Sequence, residues 1–419
     1  MDLITKILLG LEALFALFLL WKGGLLKKRG AWPVSLLLLA AAFVLRGLAF
    51  DYETLDYQNF LHPWCEFFRA NGGFRALAVP VGNYNIPYLY FLAFFSYLPI
   101  RDLYLIKLLS VLFDLLLAFS AAILIRRCGG KTAKQLICFF IILFLPTVIL
   151  NSAYWGQCDS IYVSLAILGI DFALPDRHGK DYPALSVICI GASFAFKLQA
   201  VFLMPLWIVL WVWRKNKPYW IALFPLTYVA MMLPAVLEGR TLREVLLFYV
   251  DQADTVGSAL NYNAPSLTAL MRNITNQDEV SRMLIIFAFA GMMMLVLAGV
   301  FLRKDMTKGQ MLALSVMMSI IVPFFLPHMH DRYFYAADVL SLILAVYSRC
   351  FIPAAVGIQF GSLICYIGYI NGYYMRIGNT SVYLTNDKGA IAVLASFLWI
   401  SVCFIMMTVS SNKREITGG

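Results

Sequence analysis

The chain has 419 residues, of which 62% are hydrophobic and 13% are charged, and its formal net charge is +10. A soluble globular domain is usually about half apolar and about one quarter charged, so this composition argues against a soluble protein. The basic residues lie in short groups beside apolar runs and form no continuous stripe, so we predict no nucleic-acid partner.

Apolar runs of about 17–25 residues, the length that a helix needs to cross a bilayer core, recur along the whole chain. Helices satisfy their backbone hydrogen bonds within the segment, as lipid requires. We therefore predict a single all-α polytopic membrane unit over residues 1–419, with about 13 transmembrane helices. The predicted spans are 4–21, 31–50, 102–125, 135–151, 160–174, 183–196, 199–213, 219–236, 283–302, 310–326, 334–348, 351–370 and 390–409.

Basic groups beside these spans predict the orientation of the chain. If the N-terminus lies outside and the C-terminus inside, the groups collect on the cytoplasmic side, as the positive-inside rule requires. The long loops 51–101 and 237–282 are then extracytoplasmic. The groups are Lys22, Lys27, Lys28 and Arg29; Arg126, Arg127, Lys131 and Lys134; Arg177 and Lys180; Arg214, Lys215 and Lys217; Arg303, Lys304 and Lys308; Arg349; and Lys413 and Arg414.

The first long loop, 51–101, carries an acidic residue near its start and two predicted surface helices. Aromatic residues at helical spacing predict an amphipathic helix over about 57–70, with Asp56 at its N-cap. Aspartate is a favoured cap and needs no further role there, but a helix N-terminus also keeps a carboxylate ionised and oriented for chemistry. The apolar run 88–98 is too short to span and predicts a re-entrant or interfacial helix.

The segment NSAYWGQCDS, 151–160, places Trp155, Gln157 and Asp159 at one helix junction on the predicted outer side. A carboxylate beside a span is costly unless it is paired or hydrated, so we predict a binding role for this cluster. Two simpler interpretations stay open: Trp155 as an interfacial anchor, and Asp159 as the N-cap of the next helix.

The segment LPHMHDRYFYAAD, 326–338, brings His328, His330, Arg332 and Tyr333 to the outer end of a predicted span. The guanidinium of Arg332 suits a phosphate, to which it offers two charge-assisted hydrogen bonds; the alternative is an ion pair with a loop carboxylate. His-x-His spacing occurs in metal sites. Because no third ligand is identifiable, we predict no cofactor and keep a divalent metal as the alternative.

A polar joint interrupts the apolar segment 183–213. Lys197 and Gln199 lie there, which predicts two short helices that meet at the outer face. Lys197 either binds a phosphate or extends its ammonium to the membrane surface. Deep within another predicted span, Asp114 either bonds a neighbouring helix or acts in a proton relay.

Six strings carry a resemblance to a known family: LDYQNFLHPW, GGF, GNYNIPYLY, YWGQCDSIY, FKLQ and PHMHDRYFY. They resemble segments of bacterial integral-membrane glycosyltransferases of the GT-C superfamily. The most similar subgroup is the mannosyltransferase-like proteins related to the enzymes of the glycosylphosphatidylinositol pathway, and the resemblance covers most of the chain. It implies a multi-helix fold in a bacterial cytoplasmic membrane, an active site on the extracytoplasmic face, a polyprenyl-phosphate sugar donor and an inverting transfer.

The resemblance also implies roles for individual residues. The family's catalytic loop acid maps onto Asp56, with Asp51 as its rival because Asp51 lies nearer the end of the span. Leu55 stands where the family pattern has a small residue. The residues expected to bind substrate are Tyr84, Asn85, Trp155, Gln157, Asp159, Lys197, Gln199, His328, His330, Arg332 and Tyr333.

We therefore expect an enzyme that moves a sugar from a polyprenyl-phosphate donor to a hydroxyl of a glycan, glycolipid or protein acceptor. Membrane lipids surround it, and the donor reaches the site laterally. A carboxylate takes the proton of the acceptor hydroxyl. Arg332, with Lys197 or a histidine, balances the charge of the departing lipid phosphate.

Two other functions stay open. A multipass transporter or a flippase for lipid-linked glycans would line a path through the bilayer with charged residues. A glycan polymerase or ligase would gather several arginines around two lipid phosphates.

Overall fold

The computed structural model describes residues 1–28, 30–253, 257, 259–271, 274, 276–302, 306–371 and 386–416. Of the basic residues used above, Arg29, Arg303 and Lys304 lie outside the described residues, as do the side chains of Lys413 and Arg414. The first nine helices are α1 Leu3–Lys22, α2 Ala31–Ala49, α3 His62–Ala70, α4 Ile86–Phe95, α5 Asp102–Arg127, α6 Thr132–Leu143, α7 Pro146–Ile149, α8 Asp159–Ala173 and α9 Pro183–Phe196. The helices that follow are α10 Pro205–Arg214, α11 Leu223–Leu237, α12 Leu242–Leu246, α13 Phe248–Ala253, α14 Gln277–Phe301, α15 Lys308–Phe325, α16 Tyr335–Tyr347, α17 Ile352–Ile370 and α18 Asn386–Ile416.

The chain divides into two compact units. Unit 1 contains residues 1–200 and 218–256, and unit 2 contains residues 201–217 and 257–419. The predicted site residues are distributed over both. Those of the first loop, of segment 151–160 and of the joint at Lys197 belong to unit 1, whereas those of segment 326–338 belong to unit 2.

Eight helices within the described residues are long and apolar enough to cross a membrane, and a ninth span results if the pair Thr132–Leu143 and Pro146–Tyr154, bent by 48°, counts as one. The protein is thus an all-α polytopic membrane protein, as predicted. The expected number of about 13 spans is not confirmed. Four predicted segments form helices of 10 to 15 residues, which at about 1.5 Å per residue are shorter than a bilayer core of about 30 Å. These segments are 160–174, 183–196, 199–213 and 334–348.

Unit 1 packs around α5, which contacts α1, α6 and α8. A buried ion pair joins α2 to α5: Arg46 Nη2 lies 2.9 Å from Asp114 Oδ2, and both side chains are fully buried. Ser152 Oγ donates to the same carboxylate oxygen at 2.6 Å. The interhelical bond predicted for Asp114 is confirmed, and the pairing offsets the cost of placing a carboxylate within a span.

Lys107 of α5 fixes the point at which α2 ends and the first loop begins. Its buried ammonium donates to the carbonyl oxygens of Ala49 at 2.8 Å, Phe50 at 3.1 Å and Tyr52 at 2.6 Å. A cation at a helix C-terminus satisfies carbonyls that lack intrahelical partners and meets the negative end of the helix dipole. The loop that carries Asp56 therefore starts from a fixed position.

The two helices predicted in the first loop are present. Residues 55–70, which we call the loop helix, form a continuous helix that begins with a wide π-turn, Tyr57–Leu61, and continues as α3. The run predicted over 88–98 overlaps α4, which begins two residues earlier at Ile86 and whose ten residues are too few to cross the membrane. The buried side chains of the loop helix are Tyr57, Leu61, Trp64, Cys65 and Phe68.

A glycine lets the rest of the loop pass close to the loop helix. Gly82 has a φ of +67°, and a Cβ built there would lie 2.5 Å from the Trp64 ring. Only glycine tolerates both this backbone angle and this close approach without strain. The Trp64 ring in turn lies 5.5 Å from the ring of Tyr84, measured between centroids.

Unit 2 is a bundle of α10 and α14 to α18, in which α17 packs along α18. Two short strands, β1 Asn261–Tyr262 and β2 Met329–His330, pair in parallel. The all-α prediction missed this pair because two residues are too few to show an alternating pattern.

We predict that Gly82→Ala destabilises the protein more than Gly129→Ala does. Both glycines have positive φ, but a Cβ at Gly129 meets nothing within 4 Å. The matched pair therefore separates backbone strain from the clash with Trp64, which should add about 1–3 kcal/mol. Chemical unfolding in detergent, followed by tryptophan fluorescence, measures the difference. Equal losses would contradict the packing of Trp64 on Gly82.

Candidate active site

Asp56 lies inside the first turn of the loop helix and does not cap it. Its backbone angles are helical (φ −62°, ψ −39°), and its side chain makes no capping hydrogen bond. The capping acceptor is Thr54 Oγ1, which accepts a hydrogen bond of 3.3 Å from the backbone amide of Tyr57. The predicted N-cap was therefore wrong by two residues, because a threonine earlier in the chain already satisfies a free amide of the first turn.

Two buried donors from segment 151–160 hold the Asp56 carboxylate. Trp155 Nε1 donates to Asp56 Oδ2 at 2.9 Å, and Gln157 Nε2 donates to the same oxygen at 3.0 Å. Both donors are almost fully buried. Because they are neutral, they orient the carboxylate without neutralising its charge. Trp155 thus has a specific polar partner besides any anchoring role.

The amide group of Gln157 joins two parts of the first loop. Its nitrogen donates to Asp56, and its oxygen accepts a hydrogen bond of 2.6 Å from the Tyr84 hydroxyl. An ionised carboxylate only accepts hydrogen bonds, so the amide nitrogen must face Asp56. The orientation of the amide follows from the contacts themselves.

A local distortion of the chain presents these donors. Residues Leu150–Tyr154 form a π-turn after α7, and Gly156 follows with a φ of +76°. The amide of Gln157 then donates back to the carbonyl of Asn151 at 2.8 Å. A π-turn re-aims side chains relative to a regular helix, so Trp155 and Gln157 point toward the loop helix.

Asp159 forms a buried ion pair with Lys197 next to these donors. Lys197 Nζ lies 2.5 Å from Asp159 Oδ1, and the two side chains are 9% and 1% exposed. Asn151 Nδ2 donates to the other carboxylate oxygen at 2.8 Å. Asp159 is the first residue of α8 and follows its N-cap, Cys158, so the capping interpretation was wrong. Lys197 does not extend to the membrane surface either.

Tyr84 connects the ion pair to the carboxylate. The ammonium of Lys197 lies 5.8 Å from the centre of the Tyr84 ring, within the range of a cation–π interaction, while the hydroxyl of the same ring reaches Gln157. Asp56, Tyr84, Gln157 and Lys197 therefore form one continuous set of contacts, which we call the carboxylate site together with Trp155 and Asp159.

Asn85 and Gln199 lie close in the sequence to residues of the carboxylate site, but within the described residues the structure shows no hydrogen bond from either of them to that site. Asn85 caps α4 through its Oδ1, and its Nδ2 donates to the carbonyl of Ala195 at 2.9 Å, which ties α4 to α9. Gln199 lies in the short 3₁₀ turn Leu198–Phe202. Its Oε1 is buried and has no hydrogen-bond partner among the described residues.

Asp51, the rival acid, sits in a different environment from Asp56. Its side chain is 62% exposed and accepts a hydrogen bond of 2.8 Å from the N-terminal amine. The Tyr104 hydroxyl donates to the same oxygen at 2.6 Å. These two hydrogen bonds lower the pKa of Asp51, which makes it a weaker proton acceptor.

The residues predicted from segment 326–338 belong to unit 2, where they surround the short strand pair. His330 stacks on Tyr262 with 4.8 Å between ring centroids, and Tyr333 lies 5.2 Å from His330. His328 has a φ of +63°, and its Nδ1 lies 2.7 Å from the carbonyl oxygen of Ala259. Arg332 follows in a 3₁₀ turn. Their predicted convergence with Asp56 stays a prediction.

Sequence reasoning missed several polar residues that the structure brings together. In unit 2, Asn263 donates to Asp331 Oδ2 at 3.2 Å and has a left-handed φ of +66°. In unit 1, His62 Nδ1 lies 2.7 Å from Asp102 Oδ2. The string NYNAP and the histidine within LDYQNFLHPW were visible signals, but their partners lie 68 and 40 positions away.

In the part of the chain that the structure describes, no three His, Cys, Asp or Glu side chains are grouped so that they could bind a metal ion. The two histidines of the His-x-His spacing contact a backbone carbonyl and an aromatic ring instead.

Comparison of the sequence with protein-family models and with curated proteins gives no match.

Removal of the Lys197 charge should destabilise unit 1, because Asp159 would lose the buried cation that lies 2.5 Å from its carboxylate. We predict that Lys197→Met lowers the free energy of unfolding by about 3–5 kcal/mol. Addition of Asp159→Asn should restore most of this loss, since Asn can still accept the hydrogen bond from Asn151. Lys6→Met, at an exposed lysine, is the control for the loss of one charge. A double variant no more stable than Lys197→Met would refute the pairing.

Proposed function

We propose that this protein is an inverting glycosyltransferase that moves a sugar from a polyprenyl-phosphate donor to a hydroxyl acceptor at the extracytoplasmic membrane surface. One observation supports the proposal most. Four of the six strings that carry the family resemblance meet at the carboxylate site, through Asp56, Tyr84, Gln157 and Lys197. Gln157 lies 101 positions after Asp56 in the chain, so their meeting is a property of the fold and not of local sequence.

The chemistry that we propose needs one carboxylate. The acceptor oxygen attacks the anomeric carbon, and Asp56 takes the proton of the acceptor hydroxyl. The bond between the anomeric carbon and the phosphate oxygen breaks, and its electron pair leaves with the polyprenyl phosphate. A direct displacement of this kind inverts the anomeric configuration. Trp155 and Gln157 hold Asp56 in place during the step, which lowers the entropic part of the barrier.

Lys197 suits the departing phosphate. An ammonium has three donors, and Asp159 receives one hydrogen bond from it. Burial strengthens its electrostatic effect on a nearby anion, and the ion pair fixes its position. The contribution of Arg332 rests on the resemblance and on the chemistry of its guanidinium.

Asp56→Asn should lower the rate of sugar transfer by about 100-fold or more, the usual scale for the loss of a general base. Asn can accept the same two hydrogen bonds with its Oδ1, and Thr54 already caps the helix, so the fold should persist. The assay uses purified protein, a panel of polyprenyl-phosphate sugars and a hydroxyl acceptor.

Asp51→Asn is the matched control, because it makes the same change in the same loop. We expect it to retain most of the transfer rate. Loss of transfer in Asp51→Asn with near-normal transfer in Asp56→Asn would reassign the base to Asp51. Full transfer in both variants would rule out the single-carboxylate mechanism.

The proposed side of the membrane is tested by labelling one residue in the first loop, before α5, and one residue after α5. Arg75 precedes this helix and Lys131 follows it, and both are exposed; 26 residues separate the ends by about 39 Å. In a variant without the eight native cysteines, an impermeant thiol reagent should label Arg75→Cys from outside intact cells. It should label Lys131→Cys after lysis only. The reverse pattern would place the carboxylate site in the cytoplasm and defeat the proposal.

A transporter is the second candidate, because the Arg46–Asp114 pair lies fully buried within helices long enough to span the membrane. Such groups often serve ion or proton pathways. The transfer assay separates the two functions, since transport leaves the anomeric bond of a lipid-linked sugar intact.

A further inference from the structure

A polar cavity borders the loop helix in unit 1. It is a cleft of about 570 Å³ between the loop helix and residues 98–102, and we call it the loop cleft. Its volume lies within the range of roughly 300–1,000 Å³ that is usual for small-molecule sites. It is distinct from the carboxylate site, whose contacts run through segment 151–160.

One wall of the loop cleft is a polar stripe of the loop helix. Gln58, His62, Glu66 and Arg69 line it, and their spacing of four, four and three residues puts them on one helical face. The buried side chains of the same helix, Trp64 and Phe68 among them, occupy another face. The packing of the buried face holds the polar stripe in position.

His62 presents a defined hydrogen-bonding group to the loop cleft. Its Nδ1 lies 2.7 Å from Asp102 Oδ2, and its side chain is 46% exposed. The Tyr57 hydroxyl donates to Asp102 Oδ1 at 3.1 Å, so both carboxylate oxygens have donors. Because an ionised carboxylate accepts only, Nδ1 carries the proton. In the neutral ring, Nε2 is then an acceptor for a ligand hydroxyl.

Four charged side chains of the loop cleft form two pairs, and the fifth, Asp102, accepts a hydrogen bond from the Tyr57 hydroxyl. Arg101 pairs with Glu53, and Arg69 pairs with Glu66. Gln58 Nε2 also donates to Glu53 at 3.3 Å. These walls carry three carboxylates and two guanidinium groups, so they do not favour a phosphate. Among the described residues, no three His, Cys, Asp or Glu side chains are grouped to hold a metal ion. The walls offer donors and acceptors side by side, which matches sugar hydroxyls, since each hydroxyl both donates and accepts.

We propose that the loop cleft binds the acceptor, and that the acceptor is a neutral, polyhydroxylated glycan. The assignment of this ligand as the acceptor rests on the proposed function. Asp56 and Tyr57 are consecutive residues, so their Cα atoms lie about 3.8 Å apart, and one turn of the loop helix serves both the carboxylate and the wall of the cleft. Asp56 does not itself line the cleft, so a bound glycan would reach the proposed base by extending past this turn of the loop helix.

The test measures binding without transfer. The full-length protein in detergent is titrated with neutral di- to tetrasaccharides of glucose, galactose and mannose, and binding is followed by saturation-transfer difference NMR and calorimetry. At least one of these glycans should bind. His62→Ala and Glu66→Ala should each weaken that binding by roughly tenfold or more, the scale for loss of a hydrogen bond that involves a charged or strongly polar partner.

Glu238→Ala is the control, because it removes an exposed carboxylate of unit 1 outside the loop cleft. We expect glycan binding within about twofold of the unchanged protein, and thermal unfolding verifies that all variants are folded. If His62→Ala fails to fold, Glu66→Ala still tests the cleft, since the Glu66 side chain is 49% exposed.

Three outcomes would overturn the proposal. In the first, no glycan binds. In the second, the cleft variants and the control bind glycan equally well. In the third, no glycan binds but inorganic phosphate or Ca²⁺ does, and Glu66→Ala abolishes that binding. Transfer to a non-glycan hydroxyl acceptor, with no glycan bound, would leave the glycosyltransferase function standing and reject the cleft. Glycan binding that depends on Glu66, with no transfer from any lipid-linked sugar, would retain the cleft and reject the glycosyltransferase function.

Discussion

The amide side chain of Gln157 is the contact on which the carboxylate site depends. It has one donating and one accepting end, and the fold uses both: the nitrogen for Asp56 and the oxygen for the Tyr84 hydroxyl. Two stretches of the first loop are thereby fixed to the one segment that joins α7 to α8. A glutamate of the same shape would face Asp56 with a second carboxylate, and the two like charges would repel each other.

Buried acidic groups hold that segment in turn. Ser152 donates to Asp114 of α5, and the adjacent Asn151 donates to Asp159 of α8. Each carboxylate also has a cation, so neither stays uncompensated away from water. The π-turn between α7 and α8 is therefore determined by two polar contacts in opposite directions along the chain. The position of Asp56 depends on this interior arrangement, because Trp155 and Gln157 follow the π-turn. It depends also on Lys107, which fixes where the first loop begins.

Periodicity and length predicted the helical membrane fold, the loop helix and the short helix at 88–98, because these depend on local patterns. The N-cap was misassigned since Thr54 and Asp56 are both good caps and spacing alone does not choose between them. Lys197 was identified as unusual, but its partner Asp159 lies 38 positions away, and a single sequence carries no record of such a pairing. The number of spans is not confirmed, because four of the predicted spans form helices of 10 to 15 residues, and apolar composition alone does not tell a short helix from a spanning one.

The stereochemistry of transfer tests the central claim most directly. Purified protein is given a polyprenyl-phosphate sugar of known anomeric configuration and a hydroxyl acceptor, and the configuration of the product is read by NMR as polyprenyl phosphate is released. Attack assisted by Asp56 alone is a single displacement, so the product should carry the inverted configuration. Retention requires two successive displacements through a covalent intermediate, and a retained product would contradict the account, as would the absence of release from every donor.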